Sequence, residues 1–214
     1  MNHRIAIDID EVLVPFVKPM ARWRGLKMPT QPKYEYVYRE MFNISEEGSR
    51  DMVETFYNTK EFINLEPIPY SRDAMYRMKR SSPKIYALSG RQNSSREKTE
   101  YWLSHHFPNV FSDVILTDSY TKDEISKADI CRSLAINVLI DDNFHTCVDC
   151  MKMGVKAINF IGYDEKIYPW CYESSISKMG WQGDMLYPIR QKEYNESMVK
   201  KFWEERHKNY TTPK

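Results

Sequence analysis

Two aspartates near the N-terminus, Asp8 and Asp10, have the residue type and spacing for catalytic or metal-binding chemistry. They follow an apolar run of strand length that begins at Ile5. In extended backbone, side chains two positions apart lie on the same face, so both carboxylates are expected at the end of a buried strand. Two like charges that close are unfavourable unless a cation lies between them or one carboxyl is protonated. The pair therefore predicts a metal or acid–base site, although Asp-x-Asp also occurs in loops and calcium sites.

Two later apolar runs, at 84–88 and 138–140, are also predicted to be strands that end on polar groups. The groups that follow them are Ser89, Gly90 and Arg91 after the first run, and Asp141 and Asp142 after the second. In a parallel sheet, ligands bind outside the carboxyl ends of the strands. We therefore expect these groups to converge with the first aspartates.

A lysine between these runs, Lys127, follows Ser126 at the start of a predicted helix. The apolar positions of that helix are Ile130, Leu134 and Ile136. The helix dipole disfavours a cation in the first turn. We therefore expect Lys127 to face an anion.

The ordered set Asp-x-Asp, Ser, Lys and a late acidic pair resembles the haloacid dehalogenase superfamily, over roughly residues 4 to 161. Within it, the continuation Val12-Leu13 and the segment 126–131 resemble the 5'(3')-deoxyribonucleotidase group. Glu11 stands where that group usually has glycine, and Val14-Pro15 replaces its usual small and acidic pair. These departures leave the identity of the substrate open.

The resemblance implies a phosphomonoester hydrolase that uses Mg²⁺. Asp8 would attack phosphorus, and Asp10 would act as general acid and then as general base. The phosphate-binding residues would be Ser89, Gly90 and Lys127. The metal ligands would be Asp8, the backbone carbonyl of Asp10, Asp141 and, directly or through another ligand, Asp142. An all-oxygen set of this kind suits Mg²⁺ better than zinc.

The alternation of apolar strands with helical patterns predicts an α/β fold. We expect a three-layer, Rossmann-like parallel sheet with a small helical cap inserted after the first strand. The strands are predicted near 4–8, 84–88, 114–117, 138–140 and 157–160. The predicted helices include 16–23, 45–56, 71–80 with Ala74, Met75 and Met78 toward the core, and one that begins with a capping box at Ser94. The predicted domains are a core of 1–15 and 72–190, a cap of 16–71, and a C-terminal helix and tail of 191–214.

Aromatic residues of the predicted cap could stack on the base of a nucleotide. The candidates for substrate contact are Phe16, Trp23, Tyr34, Tyr36 and, from the core, Arg91. For the aromatic residues the alternative is packing within the cap. For Arg91 a surface salt bridge is equally compatible with the sequence.

Composition excludes several classes of protein. Lys and Arg number 31 against 30 Asp and Glu, so the net charge of +1 gives no field that attracts nucleic acid or membranes. The N-terminus has no apolar signal region, which predicts a cytoplasmic protein. With only 7 glycines, neither phosphate-binding glycine motif is present, which argues against a kinase or dehydrogenase. Cys147 and Cys150 are predicted to be reduced packing residues, with redox or metal chemistry as the alternatives.

Three functions remain open from the sequence. The leading hypothesis is a phosphatase for nucleoside monophosphates, most plausibly deoxyribonucleotides. The second is a phosphatase for a sugar phosphate, a polynucleotide end or a phosphoprotein. The third is a binding module that retains the fold without turnover. The C-terminal helix is predicted to pack on the body of the protein, with a homodimer contact as the alternative.

Overall fold

The computed structural model describes residues 3–163, 166–171 and 176–181, which form an α/β fold. The strands are β1 (Arg4–Ile7), β2 (Lys84–Ser89), β3 (Asp113–Leu116), β4 (Val138–Asp141), β5 (Lys156–Phe160), β6 (Gly162–Tyr163), β7 (Lys166–Ile167) and β8 (Lys178–Met179). Six of them form one sheet in the order β3-β2-β1-β4-β5-β8, and all of its pairs are parallel. β6 and β7 form a separate antiparallel pair. The predicted parallel sheet is therefore confirmed.

The helices lie on both faces of this sheet and in the connection between β1 and β2. They are α1 (Val17–Arg24), α2 (Tyr38–Phe42), α3 (Glu46–Phe56), α4 (Lys60–Ile63), α5 (Ser71–Ser81), α6 (Arg96–His106), α7 (Lys127–Ser133) and α8 (Phe144–Lys152). α5 and α6 contribute to the core cluster that contains Ile5 and Ile7, whereas α7 and α8 contribute to the cluster that contains Ala6. Because alternate residues of β1 belong to different clusters, the fold has the predicted three layers.

Strand β1 lies at the centre of the sheet, between β2 and β4. Its residues Ile5 to Ile7 are fully buried, as expected for a strand covered on both faces. Ile7 pairs with Ala87 on one side and Ile140 on the other. This register brings the carboxyl ends of three strands to the same edge.

The connection between β1 and β2 contains α1 to α4, where the sequence predicts a helical cap. Its interior is aromatic: the Phe16 ring packs edge-on against Phe56 at a centroid distance of 5.4 Å, and Trp23 contacts Phe56 at 5.6 Å. Helix α3 begins after Ser45, whose Oγ accepts a hydrogen bond from the Gly48 N–H. The exact domain boundaries at residues 15 and 72 stay predictions.

Two local predictions differ from the structure. The capping box at Ser94 is wrong, because Asn93–Ser95 forms a 3₁₀ turn and Ser95 Oγ donates to the Gln92 carbonyl instead. Helix α7 ends at Ser133, so Ile136 is buried after the helix rather than within it. The predicted C-terminal helix at 191–214, its possible dimer contact and the last residues of the predicted core lie outside the described residues.

All four cysteines are buried free thiols. Cys147 packs with Phe144 and Met151, whereas Cys150 packs with Cys131 and the sheet. Burial raises the pKa of the Cys147 thiol well above its ordinary value. These positions agree with the packing interpretation of the Cys-x-x-Cys pair.

Helices of the described ranges are all too short or too polar to cross a membrane.

The packing of α5 can be tested with a matched pair of methionines. Met75 is fully buried, whereas Met153 at the end of α8 is 45% exposed. We expect Met75→Ala to lower the free energy of unfolding by about 2–5 kcal/mol, since it removes buried atoms and leaves a cavity. Met153→Ala should change it by less than about 0.5 kcal/mol. Urea denaturation of both variants measures the difference, and equal stabilities would contradict the assignment of the α5 face.

Candidate active site

A cavity of about 280 Å³ lies between the carboxyl ends of the central strands and the helical insert. Its wall contains every residue that the sequence places in catalysis, phosphate binding or metal binding. They are Asp8, Asp10, Ser89, Gly90, Lys127, Asp141 and Asp142. The parallel register explains this convergence, because Asp8 follows β1, Ser89 ends β2 and Asp141 ends β4.

The Lys127 ammonium group lies between two carboxylates. Its Nζ donates to Asp8 Oδ1 at 2.8 Å and to Asp141 Oδ2 at 2.7 Å. Burial disfavours the charged amine, but the two carboxylates outweigh it and raise the pKa of Lys127 above its ordinary value. The expectation that Lys127 faces an anion is confirmed, and in this structure the anion is the carboxylate pair itself.

The buried carboxylates of Asp8, Asp141 and Asp142 form a group whose oxygens lie within 4.8 Å of one another. Burial raises the pKa of Asp8 to about 7, against the opposing effect of Lys127. Burial likewise raises the pKa of Asp142 well above its ordinary value, and the carboxylates of Asp8 and Asp141 add to the effect. Three carboxylate oxygens in one small space match the hard, all-oxygen donor set that Mg²⁺ prefers, so these residues fit such an ion.

Asp10 is not part of this group and forms a partly buried ion pair with Arg91. The Arg91 Nη2–Asp10 Oδ1 distance is 2.6 Å, and Nε lies 3.0 Å from Oδ2. The guanidinium group also donates to Thr99 and lies over the rings of Phe16 and Phe62. The surface salt bridge considered for Arg91 is therefore wrong: the bridge exists, but Arg91 is only 2% exposed.

Glu11 connects the loop after Asp10 to the first helix of the insert. Its Oε1 accepts hydrogen bonds from the N–H groups of Phe16 and Val17, each at 2.8 Å, where α1 begins. Its φ of 60° is in the left-handed region, which glycine adopts more readily than glutamate. Burial raises the pKa of Glu11 to about 7, although the two N–H bonds oppose the shift. The sequence marked Glu11 as unusual but did not predict this capping role.

Ser89 is the last residue of β2, and Gly90 follows it in a bend. Ser89 is buried, and its Oγ accepts a hydrogen bond from the Arg91 N–H at 3.3 Å. A Cβ atom at Gly90 would lie 3.1 Å from Ser119 Oγ, closer than most such contacts. Gly90 therefore lets the loop at Ser119 approach the site.

The aromatic candidates are placed differently from one another. Phe16 and Tyr36 line the cavity, and the Tyr36 hydroxyl lies 3.0 Å from the hydroxyl of Tyr38, which also lines it. Trp23 is not among the described residues of the cavity wall and packs against Phe56 instead. Tyr34 packs near Trp170, at a centroid distance of 6.1 Å.

Several residues that contact the site were not predicted from the sequence. The Trp170 N–H donates to Asp142 Oδ2 at 2.9 Å, and the Tyr168 hydroxyl donates to the Glu11 carbonyl at 2.6 Å. The Asn159 amide donates to the main-chain carbonyls of Asp141 and Asp142. These contacts join distant parts of the chain, so neither spacing nor periodicity could indicate them.

Comparison with known proteins gives a consistent result. Residues 2–149 match the model of a family described as 5' nucleotidase, deoxy (pyrimidine), cytosolic type C. No curated protein matches the chain.

Among solved structures, a haloacid dehalogenase-like family hydrolase from Streptococcus pneumoniae aligns with a TM-score of 0.54 and 14% identity, over 76% of this chain and 88% of that one. CbbY from Rhodobacter sphaeroides in complex with phosphate aligns with a TM-score of 0.54 and 13% identity, over 87% of this chain and 97% of that one. A family IA hydrolase from Entamoeba histolytica aligns with a TM-score of 0.53 and 11% identity, over 92% of this chain and 99% of that one. At these identities the structures confirm the fold.

The buried Glu11 carboxyl predicts a pH dependence of stability. The folded protein keeps the Glu11 proton up to pH about 7, whereas an unperturbed glutamate loses it near 4.5. Folding therefore favours proton uptake between these values, and the contribution of Glu11 to stability falls as pH rises through this window. Glu11→Gln retains an acceptor oxygen and removes the titration. In chelator, we expect the difference in free energy of unfolding between this variant and the wild type to shift by on the order of 3 kcal/mol in favour of the variant as the pH rises from 4 to 8.

Urea denaturation across this pH range measures the effect. The exposed Glu61→Gln on α4 is the matched control, and its stability should run parallel to that of the wild type. A parallel profile for Glu11→Gln would show that the pKa of Glu11 is the same in the folded and the unfolded protein, and would contradict the prediction.

Proposed function

Because the chain belongs to the family of cytosolic type C deoxy (pyrimidine) 5'-nucleotidases and is a phosphatase, we propose that it hydrolyses nucleoside monophosphates with Mg²⁺ through an aspartyl-phosphate intermediate. The observation that carries the proposal is the contact of Asp8 with Lys127 beside Asp141, at the base of the cavity. A carboxylate, a fixed cation and a metal-type acidic group are the parts that phosphoryl transfer requires. The family description also supports a cytosolic location.

Asp8 is the proposed nucleophile. One carboxylate oxygen attacks phosphorus, the bond from phosphorus to the ester oxygen breaks, and phosphate is transferred to Asp8. Lys127 favours the ionised form of Asp8 that this attack needs, against the effect of burial. Water then attacks the phosphorus of the intermediate, which releases inorganic phosphate and restores Asp8.

Asp10 is the proposed general acid and base. It gives a proton to the departing ester oxygen and later takes one from the attacking water. Its ion pair with Arg91 fixes the carboxylate on the cavity wall.

Lys127, the Ser89 hydroxyl and the backbone at Gly90 are the proposed contacts for the other phosphoryl oxygens. Asp8, the Asp10 carbonyl, Asp141 and Asp142 are the proposed ligands of Mg²⁺. When bound, Mg²⁺ supplies positive charge that offsets the charge of the phosphoryl oxygens during transfer. Asn143 assists by donating its backbone N–H to Asp141 Oδ1 at 2.8 Å, which orients that carboxylate.

A nucleotide is the proposed substrate because part of the wall of the cavity that contains Asp8 is aromatic. Phe16, Tyr36, Tyr38 and Tyr57 contribute to it, together with polar residues of α3. Aromatic faces stack on nucleobases with little demand on their sequence. Trp23 has no part in this proposal, because it packs away from the cavity wall.

The test of the proposal is release of inorganic phosphate from a panel of esters, in Mg²⁺ and in chelator. The panel contains deoxy- and ribonucleoside 5'- and 3'-monophosphates, sugar phosphates, a phosphopeptide and a 3'-phosphorylated oligonucleotide. Turnover that requires Mg²⁺ and is greatest on nucleotides is the expected result. Turnover on another ester alone would replace the substrate and retain the mechanism. Absence of turnover from folded protein that binds Mg²⁺ would favour a binding module.

Asp8→Asn tests the covalent mechanism, because it keeps the shape of the side chain and removes the nucleophile. We expect a loss of at least about 10³-fold in kcat on the best ester of the panel, by analogy with other removed nucleophiles. Asp51→Asn on the exposed side of α3 is the matched control and should retain activity. Activity of Asp8→Asn near that of the wild type would exclude Asp8 as the nucleophile.

A further inference from the structure

Three aromatic side chains between residues 168 and 181 form hydrogen bonds with the loops of the site. The Tyr168 hydroxyl donates to the Glu11 carbonyl, and the Trp181 N–H donates to the Val12 carbonyl at 2.5 Å. Trp170 is the one of the three that binds a functional side chain, since its N–H donates to Asp142 Oδ2 at 2.9 Å. All three lie beyond residue 149, where the match to the family model ends.

The orientation of the Trp170 ring is fixed from two sides. It stacks on Tyr168 at a centroid distance of 4.5 Å and an interplanar angle of 16°. Tyr36 of the cavity wall also contacts the ring, at a centroid distance of 4.5 Å. The adjacent Cys171 carbonyl accepts a hydrogen bond from Lys33 Nζ, which ties this segment to the insert. Trp170 is only 6% exposed, so its N–H has little freedom to find another partner.

Asp142 needs such a donor because it is buried beside other carboxylates. Asp8 and Asp141 already share Lys127, whereas the described side-chain partner of the Asp142 carboxylate is Trp170. The indole N–H is a neutral donor, so it orients a carboxylate without adding a positive charge. A lysine or arginine in its place would repel a divalent cation at the same position.

We propose that Trp170 is a positioning residue that holds the Asp142 carboxylate in place for a divalent cation. The inference rests on the metal site of the proposed function. Partners that orient metal ligands in this way commonly change metal affinity 10- to 100-fold when they are removed. The family-matched part of the chain supplies the ligands, and the segment after it supplies the group that orients one of them.

Trp170→Phe tests the proposal, because it keeps most of the ring and removes the N–H. Affinity for Mg²⁺ is measured from the rise in melting temperature of the full chain as Mg²⁺ replaces chelator, which requires no substrate. We expect the apparent dissociation constant for Mg²⁺ to increase at least about 10-fold. A change of less than twofold would overturn the proposal.

Trp102→Phe is the matched control. Trp102 lies on α6, is also buried and is not among the described residues of the cavity wall. Its N–H donates a hydrogen bond to the main-chain carbonyl of Leu65. Its replacement should lower the melting temperature in chelator but leave the Mg²⁺ dissociation constant unchanged. An equal loss of Mg²⁺ affinity in both variants would assign the effect to general destabilisation and overturn the proposal.

A double-mutant cycle with Asp142→Asn separates positioning from packing. If Trp170 acts through Asp142, Trp170→Phe should weaken Mg²⁺ binding in the wild type but have little further effect in Asp142→Asn. Additive losses would contradict the proposal. If Mg²⁺ does not change the melting temperature of the wild type, the metal site and the proposal are both wrong. If Mg²⁺ raises the melting temperature of the wild type and Trp170→Phe has the same Mg²⁺ dissociation constant, only the positioning role is wrong.

If Trp170→Phe does not fold, tryptophan emission of the wild type supplies the test. Mg²⁺ that binds Asp142 changes the charge next to the Trp170 ring, so we expect emission to change along the same titration as the melting temperature. The change should persist in Trp102→Phe and Trp181→Phe. Emission that does not respond to Mg²⁺, in protein whose melting temperature does, would overturn the proposal.

Discussion

The site depends on the Lys127 ammonium group, which is held between the buried carboxylates of Asp8 and Asp141. An uncompensated buried charge costs several kcal/mol, so the close cation stabilises both carboxylates. With Asp142 included, three carboxylates face one ammonium group, and full ionisation leaves two negative charges. Burial, together with the neighbouring carboxylates, raises the pKa values of Asp8 and Asp142. A divalent cation would neutralise these two charges, so the electrostatics of the site favour binding of such an ion.

This concentration of charge is possible because the surrounding sheet is parallel and apolar. β1 is buried on both faces and lies between β2 and β4, so the polar groups that follow the three strands share one edge. Lys127 reaches the same edge from α7, whose start is fixed by the Ser126 side chain that caps it. The stability of the hydrophobic core thus offsets the repulsion between like charges that the fold brings together at the site.

Much of this arrangement could be predicted from the sequence, because continuous apolar runs reveal buried parallel strands and the polar residues that follow them. Lys127 was predictable for a related reason: its place in a first helical turn is unfavourable without an anion. The partners of Asp10 and Asp142 were not predictable. Arg91 lies 81 residues from Asp10, and Trp170 lies 28 residues from Asp142. Such pairs depend on tertiary packing, which leaves no periodic trace in the chain.

Glu11 links the helical insert to the chemistry of the core. Its carboxylate caps α1 at Phe16, and the Phe16 ring lies 5.7 Å from the guanidinium carbon of Arg91. Arg91 in turn fixes Asp10, so a displacement of α1 would be transmitted to the proposed acid–base group. A glycine at position 11 would accept the left-handed backbone but could not make the two N–H contacts. The carboxylate at position 11 is therefore connected through the start of α1 and Arg91 to the proposed acid–base residue Asp10.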